Sequence, residues 1–219
     1  MKIKAVLCDF DGTLVNKDIL DVICGIVNKE QESKKLNEDY HEGKIDGLTA
    51  LITRINFLHG VSISQISKKL KENDYLISGA EELFKFLKKN KIVTILNSGN
   101  ILPVLQHYSE KLKITYIVGT KPIMKGNVID SISEKNFSGA NFKLEDSKLI
   151  LKKLKIKPSE VIALGDSPAD KSIFEYSAKS IAINPKGGIE KSADYIPDFS
   201  LVFGHHTQFL KYFSLFGFK

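Results

Sequence analysis

Five short apolar runs punctuate the chain, and each stops at a cluster of carboxylates, amides, glycines or hydroxyls. Ile3-Lys4-Ala5-Val6-Leu7-Cys8 ends at Asp9-Phe10-Asp11-Gly12-Thr13, and Ile92-Val93-Thr94-Ile95-Leu96 ends at Asn97-Ser98-Gly99-Asn100. Residues 114–118 end at Gly119-Thr120, residues 161–164 at Gly165-Asp166-Ser167-Pro168, and residues 180–183 at Asn184-Pro185-Lys186-Gly187-Gly188. Continuous apolar runs of this length read as strands buried on both faces. Helical patterns lie between them, over residues 80–89, 101–112, 149–156 and 171–177. Strands alternating with helices predict an α/β fold, a parallel sheet sandwiched between helices. In such sheets the ligand site lies beyond the carboxyl ends of the strands, which is where the polar clusters fall.

Residues 16–78 break the rhythm. They hold no convincing strand, and Leu48, Leu51, Ile52, Ile55 and Leu58 carry helical spacing, so several short helices are expected there. This stretch has nine basic and ten acidic residues, which leaves 23 basic and 16 acidic for the rest of the chain. The asymmetry suits a helical cap, residues 16–78, inserted into a more basic catalytic core made of residues 1–15 and 79–219. Residues 121–132, with Lys125-Gly126-Asn127 at their middle, read as a β-hairpin excursion.

Composition removes several classes of function. The formal net charge is +6, yet Arg54 is the sole arginine among 32 basic residues. A coat of lysines is a solvated surface more than a nucleic-acid groove, because groove readers rely on arginine's planar fork. The basic stretch 143–157 carries an apolar stripe without interleaved aromatics and reads as a solvated helix face, so no nucleic-acid partner is expected. No apolar run approaches the ~18 residues that a spanning helix requires, and no signal peptide is visible, which leads to the expectation of a cytoplasmic protein with no membrane partner. Cys8 and Cys24 form neither a disulfide framework nor a zinc pattern. Near the end, Phe209, Leu210, Phe213 and Phe216 share one helical face, read as core packing, and the adjacent His205-His206 cannot share a face to bind metal. A monomer or homodimer is expected.

The first polar cluster carries the chemistry. Side chains two apart at a strand end can converge, and Asp9 and Asp11 would then repel unless a divalent cation or a shared proton compensates. An ordinary Asp-Gly turn is the bland alternative. Here the sequence resembles the haloacid dehalogenase (HAD) superfamily, whose phosphatases carry Asp-x-Asp-x-Thr at this place. The resemblance extends over essentially the whole chain. It implies a three-layer, Rossmann-like core and a phosphoaspartyl mechanism in which Asp9 attacks phosphorus and Asp11 serves as acid and then base. Gly12 and Thr13 would offer free backbone N–H groups to the phosphoryl oxygens, and Ser98 and Gly99 match the family's second phosphate-binding element. Asp166 and Asp170 match the acidic motif that completes a magnesium site, Asp166 as a direct ligand with Asp9 and the main-chain carbonyl of Asp11, and Asp170 either behind that ligand set or as an alternative member of it. The family's lysine falls on Lys143 or Lys148, with Lys143 preferred for its spacing to Gly165.

Within the superfamily the chain is similar to phosphoserine phosphatases. Asp18, in Asn16-Lys17-Asp18-Ile19-Leu20-Asp21, sits where those enzymes read the substrate ammonium with a glutamate, and Arg54 matches the arginine that clamps the substrate carboxylate. A helix-terminal carboxylate and an exposed surface charge are the plain alternatives for these two residues. The chain departs from the resemblance at Asn100 and Ile101, where those phosphatases carry Gly-Phe, and at Ser167 and Ala169. The resemblance therefore implies a small phosphorylated metabolite as partner: phosphoserine, a related acid, or a sugar, glycolate or nucleoside phosphate. A non-catalytic basic binding module is the reading from outside enzymology.

Overall fold

The computed structural model describes residues 2–133, 135 and 140–196; the His205-His206 pair and the aromatic segment through Phe216 lie outside the described residues. The main sheet has five parallel strands in the order β3-β2-β1-β6-β7, formed by β1 (Ala5–Cys8), β2 (Val93–Ile101), β3 (Tyr116–Thr120), β6 (Val161–Gly165) and β7 (Lys179–Ala182). β1 lies at its centre, and all four of its side chains are buried. Their alternation assigns the layers: Ala5 and Leu7 face one core cluster, with Leu151, Ile173 and Phe174, while Val6 and Cys8 face the other, with Leu83, Phe84, Val104 and Leu105. Each buried leucine, isoleucine or phenylalanine contributes about 1.5–3 kcal/mol, so the strand order is fixed by burial as much as by the ladder. Helices α7 (Ala140–Lys153) and α8 (Lys171–Tyr176) cover the first face, and α5 (Ala80–Lys89) and α6 (Leu102–Leu112) the second. The expected α/β class holds.

Two boundaries differ most from the sequence reading. β2 runs on through Asn97-Ser98-Gly99-Asn100 to Ile101, with a register shift against β3 between Asn97 and Ile101. The polar residues hid the strand's continuation because they are buried for chemistry rather than for packing. Helix α7 begins at Ala140, well before the apolar stripe that advertised it.

Between β1 and α5 lie α1 (Ile19–Cys24), α2 (Glu30–His41), α3 (Gly47–Asn56) and α4 (Ile63–Leu70). Three of them open on side-chain caps: Asp18 for α1, Asp46 for α3, and a Ser62–Gln65 capping box for α4. The chain enters and leaves this insertion along one paired ribbon, in which Asn16 N–H donates to the Tyr75 carbonyl (2.9 Å) and Ile77 N–H to that of Leu14 (3.1 Å). A hairpin of β4 (Ile123–Lys125) and β5 (Val128–Ser131) comes back to the insertion from the other half of the chain. Gly60 N–H donates to the Ile129 carbonyl (2.7 Å), Ile129 N–H to Val61 (2.9 Å) and Ile63 N–H to Asn127 (2.9 Å). No helix among the described residues is long and apolar enough to cross a membrane.

Candidate active site

The tips of β1, β2 and β6 bring the polar clusters together. Asp9 is 4% exposed, and its N–H donates to the Leu164 carbonyl (2.9 Å), which pins the end of β1 to β6. The chain then turns sharply. Leu14 and Val15 N–H donate to the Phe10 carbonyl at 2.8 and 3.1 Å. Gly12 N–H donates to Val15 (2.9 Å) and Thr13 N–H to Phe10 (3.3 Å). This corrects the expectation that Gly12 and Thr13 leave free N–H groups for phosphoryl oxygens, since the tight turn consumes both. Gly12 has another reason to be glycine: its φ is +85°, and a Cβ there would stand 2.1 Å from Asp166 Oδ2.

Asp166 leaves the tip of β6, and the turn Pro168–Asp170 folds Asp170 back beneath it. Asp170 Oδ2 accepts from the N–H groups of Asp166 (3.1 Å) and Ser167 (3.2 Å) and from Ser167 Oγ (3.3 Å). A Cβ on Gly165 would lie 2.5 Å from the Asp170 Cβ, so this loop closes only over glycine. Carboxylate oxygens of Asp9, Asp166 and Asp170, one from each, lie within 4.8 Å of one another. An all-oxygen, all-carboxylate donor set of this size fits a hard divalent cation such as magnesium.

The two lysines stand in different surroundings. Lys143 is buried, with Nζ 2.7 Å from Asp9 Oδ1 and 3.5 Å from Asp170 Oδ1. Lys148, five residues along the same helix, faces elsewhere and pairs with exposed Glu145 at 2.8 Å. Burial opposes the Lys143 charge, but Asp9 and Asp170 outweigh it and hold the ammonium's pKa above the usual lysine range. Asp9 is pushed well up, by burial first and Asp170 second, with Lys143 opposing. Burial also raises Asp166, against the pull of Lys186.

Asp11 faces the other side of the cavity. Its Oδ1 accepts from Ile19 N–H (2.8 Å), and its Oδ2 from Ser98 Oγ (3.3 Å). Its carboxyl is pushed up to about 7, first by burial and then by the Asp18 carboxylate, with Ile19 N–H and Asn100 opposing. A group with that pKa both gives and takes a proton near neutrality.

Above lies a second charged cluster, on α1, α2 and α3. Arg54 is 5% exposed, so the exposed-charge alternative falls. Its Nη2 lies 2.6 Å from Asp18 Oδ1 and 2.9 Å from Asp21 Oδ1, and its Nε donates to Ser33 Oγ (2.9 Å). Ser33 in turn donates to Asp21 Oδ1 (2.5 Å), and Asn37 Nδ2 to Asp18 Oδ2 (3.2 Å). Asp18 also caps α1 through Asp21 N–H (3.1 Å), so the helix-terminal explanation and the pairing with Arg54 hold together. One cavity of about 480 Å³ connects Arg54 and Asp18 to Asp9, Asp11, Ser98 and Asp166.

Sequence reasoning missed four contributors. Lys186 reaches Asp166 Oδ2 (3.1 Å) from the loop after β7. Asn97 donates to the Lys143 carbonyl (2.9 Å) and to Ser147 Oγ (2.7 Å), fixing the start of α7. Asp21 and Asn100 complete the set. The amides in Asn97-Ser98-Gly99-Asn100 were on view as polar residues at a strand tip, but nothing local marked their partners.

A family model described as haloacid dehalogenase-like hydrolase matches residues 3–175. The phosphoserine phosphatase of Methanocaldococcus jannaschii is 31% identical over 193 residues, 88% of this chain and 91% of the relative. Among solved structures, a phospho-aspartyl intermediate analogue of phosphoserine phosphatase matches with a TM-score of 0.78 at 29% identity, covering 97% of this chain and 99% of that one. A substrate-bound phosphoserine phosphatase complex matches with a TM-score of 0.79 at the same 29% identity and the same coverages.

Proposed function

This chain belongs to the haloacid dehalogenase-like hydrolases, and from that membership we propose a magnesium-dependent phosphomonoesterase that works through an aspartyl phosphate on Asp9. The substrate is O-phosphoserine or a similar small phosphorylated acid. The observation that carries this reading is the pair of carboxylates two residues apart in unlike surroundings. Asp9 is paired with a buried ammonium at 2.7 Å, while Asp11 is surrounded by neutral donors and is raised to about 7. One environment suits a nucleophile, the other a proton carrier.

Asp9, Asp166, Asp170 and the Asp11 carbonyl would hold a magnesium ion, whose charge would keep the carboxylates ionised and offset that of the phosphate. Asp9 forms a bond to phosphorus as the bond to the ester oxygen breaks, and Asp11 gives its proton to that departing oxygen. Asp11, now a carboxylate, takes a proton from water as the water oxygen bonds to phosphorus. The phosphorus–Asp9 bond then breaks, returning the Asp9 carboxylate and inorganic phosphate. Lys143 neutralises charge on Asp9 throughout, and Ser98 and Gly99 receive the phosphoryl oxygens. At the other end, a substrate carboxylate that displaces Asp18 from Arg54 also frees Asp18 for the substrate ammonium. That exchange is how a paired cluster reads a zwitterion.

The space beside Tyr40, His41 and Leu48 in the same cavity favours a second reading, another small metabolite such as a sugar, glycolate or nucleoside phosphate. A panel of these esters with magnesium discriminates: phosphoserine turns over fastest in the first reading, a bulkier ester in the second. Asp9→Asn lowers activity on every ester by on the order of 10⁴-fold or more in a variant that circular dichroism shows to be folded. Retention of a tenth of the activity removes Asp9 as nucleophile.

A further inference from the structure

We propose that Asn100 is a positioning residue that aims the Asp11 carboxyl at the departing oxygen, a role that rests on the proposed acid–base work of Asp11. Asn100 is buried at the end of β2, where the phosphatases this chain resembles carry glycine, and a buried amide requires partners. Its orientation is not free. Its Oδ1 accepts from Ile101 N–H at 2.9 Å, which leaves Nδ2 as the end facing Asp11. Nδ2 lies 3.3 Å from Asp11 Oδ1 and 3.1 Å from Oδ2, so the amide straddles the carboxyl and resists its rotation.

The same residue also fixes the serine. Asn100 N–H donates to Ser98 Oγ (3.0 Å), and that hydroxyl reaches Asp11 Oδ2 (3.3 Å). With Ile19 N–H close on Oδ1 (2.8 Å), that oxygen stays an acceptor. Oδ2, met only by the longer contacts from Asn100 Nδ2 (3.1 Å) and Ser98 Oγ (3.3 Å), is the oxygen held beside Ser98. A glycine at position 100 would keep the backbone N–H to Ser98 and lose the straddling amide.

The test compares phenyl phosphate with 4-nitrophenyl phosphate, which have similar shapes but leaving groups of very different basicity. Protonation of the leaving oxygen matters for phenolate and little for 4-nitrophenolate. Asn100→Ala is expected to lower kcat/KM for phenyl phosphate about tenfold more than for 4-nitrophenyl phosphate, and Asp11→Asn to show the same selectivity more strongly. The ratio of the two esters within one sample does not depend on how much of a variant is folded, so a merely structural role leaves it unmoved. An unchanged ratio in Asn100→Ala beside a shifted ratio in Asp11→Asn overturns the positioning role alone. Unchanged ratios in both overturn the acid role of Asp11 and this proposal with it.

Discussion

Two buried cations organise the molecule, and they are held in different ways. Lys143 rises from α7 into carboxylates at the tips of parallel strands, whose positions the ladder and the core fix. Arg54 sits among three helices, and through its Nε and Nη2 it ties Asp18, Asp21 and Ser33 together. Each cluster has one more carboxylate than cation: Asp9, Asp166 and Asp170 against Lys143 and Lys186, Asp18 and Asp21 against Arg54. The first excess lies on oxygens gathered for a hard ion. The second lies on a carboxylate that also caps a helix, and so is suited to meeting a ligand's cation. In the proposed function a point charge on a rigid floor would serve chemistry that every phosphate ester shares, whereas a planar fork on helices would serve a contact that only some substrates make.

The largest expected break is at Lys143. Lys143→Met leaves Asp9 and Asp170 without their cation, and activity should fall on the order of 10³-fold on all esters. Stability should fall by about 3 kcal/mol, some 10 °C in Tm, because a buried pair is broken from one side. Lys148→Ala, which removes an exposed pair with Glu145 and a contact over the Tyr176 ring, should leave activity unchanged and lower stability by less than about 1 kcal/mol. Equal effects from the two lysines would dissolve the distinction.

The second cluster should break selectively. Arg54→Lys keeps the charge but loses the fork, so kcat/KM should drop about 10–100-fold on carboxylated esters and change little on esters without a carboxylate. A uniform loss across both kinds would return Arg54 to a structural role.

The smallest effect is a slope with pH. Burial raises Asp9, Asp11 and Asp166 above their unfolded values, Asp11 to about 7. The metal-free folded state therefore holds protons that the unfolded chain has released. The associated stability is complete below the ordinary carboxylate range and is lost as pH rises through the folded values. Tm of the metal-free protein should fall by several degrees between pH 5 and pH 7.5, and magnesium should restore it at pH 7.5 far more than at pH 5. A metal-free Tm that rises over that interval would contradict the burial of these groups.

The sheet was legible because buried parallel strands must be written as apolar runs and must stop where the backbone meets polar groups. Asp9, Asp11, Ser98, Asp166 and Asp170 were legible for the same reason, as the residues standing at those stops. What stayed hidden depends on distance along the chain. Asn100 meets Asp11 across 89 residues and Arg54 meets Asp18 across 36, and no local pattern encodes such meetings. The Gly12 and Thr13 N–H groups failed in the opposite way, since a turn tight enough to place two carboxylates together consumes its own donors.

The hairpin of β4 and β5 has a mechanical consequence. The paired ribbon through Asn16 and Tyr75 is a single hinge line, about which α1 to α4 could swing as one body. The bonds from Gly60, Val61 and Ile63 to Asn127 and Ile129 add an anchor away from that line. Opening the cavity by a swing of these helices therefore requires the hairpin to travel with them or those backbone bonds to part.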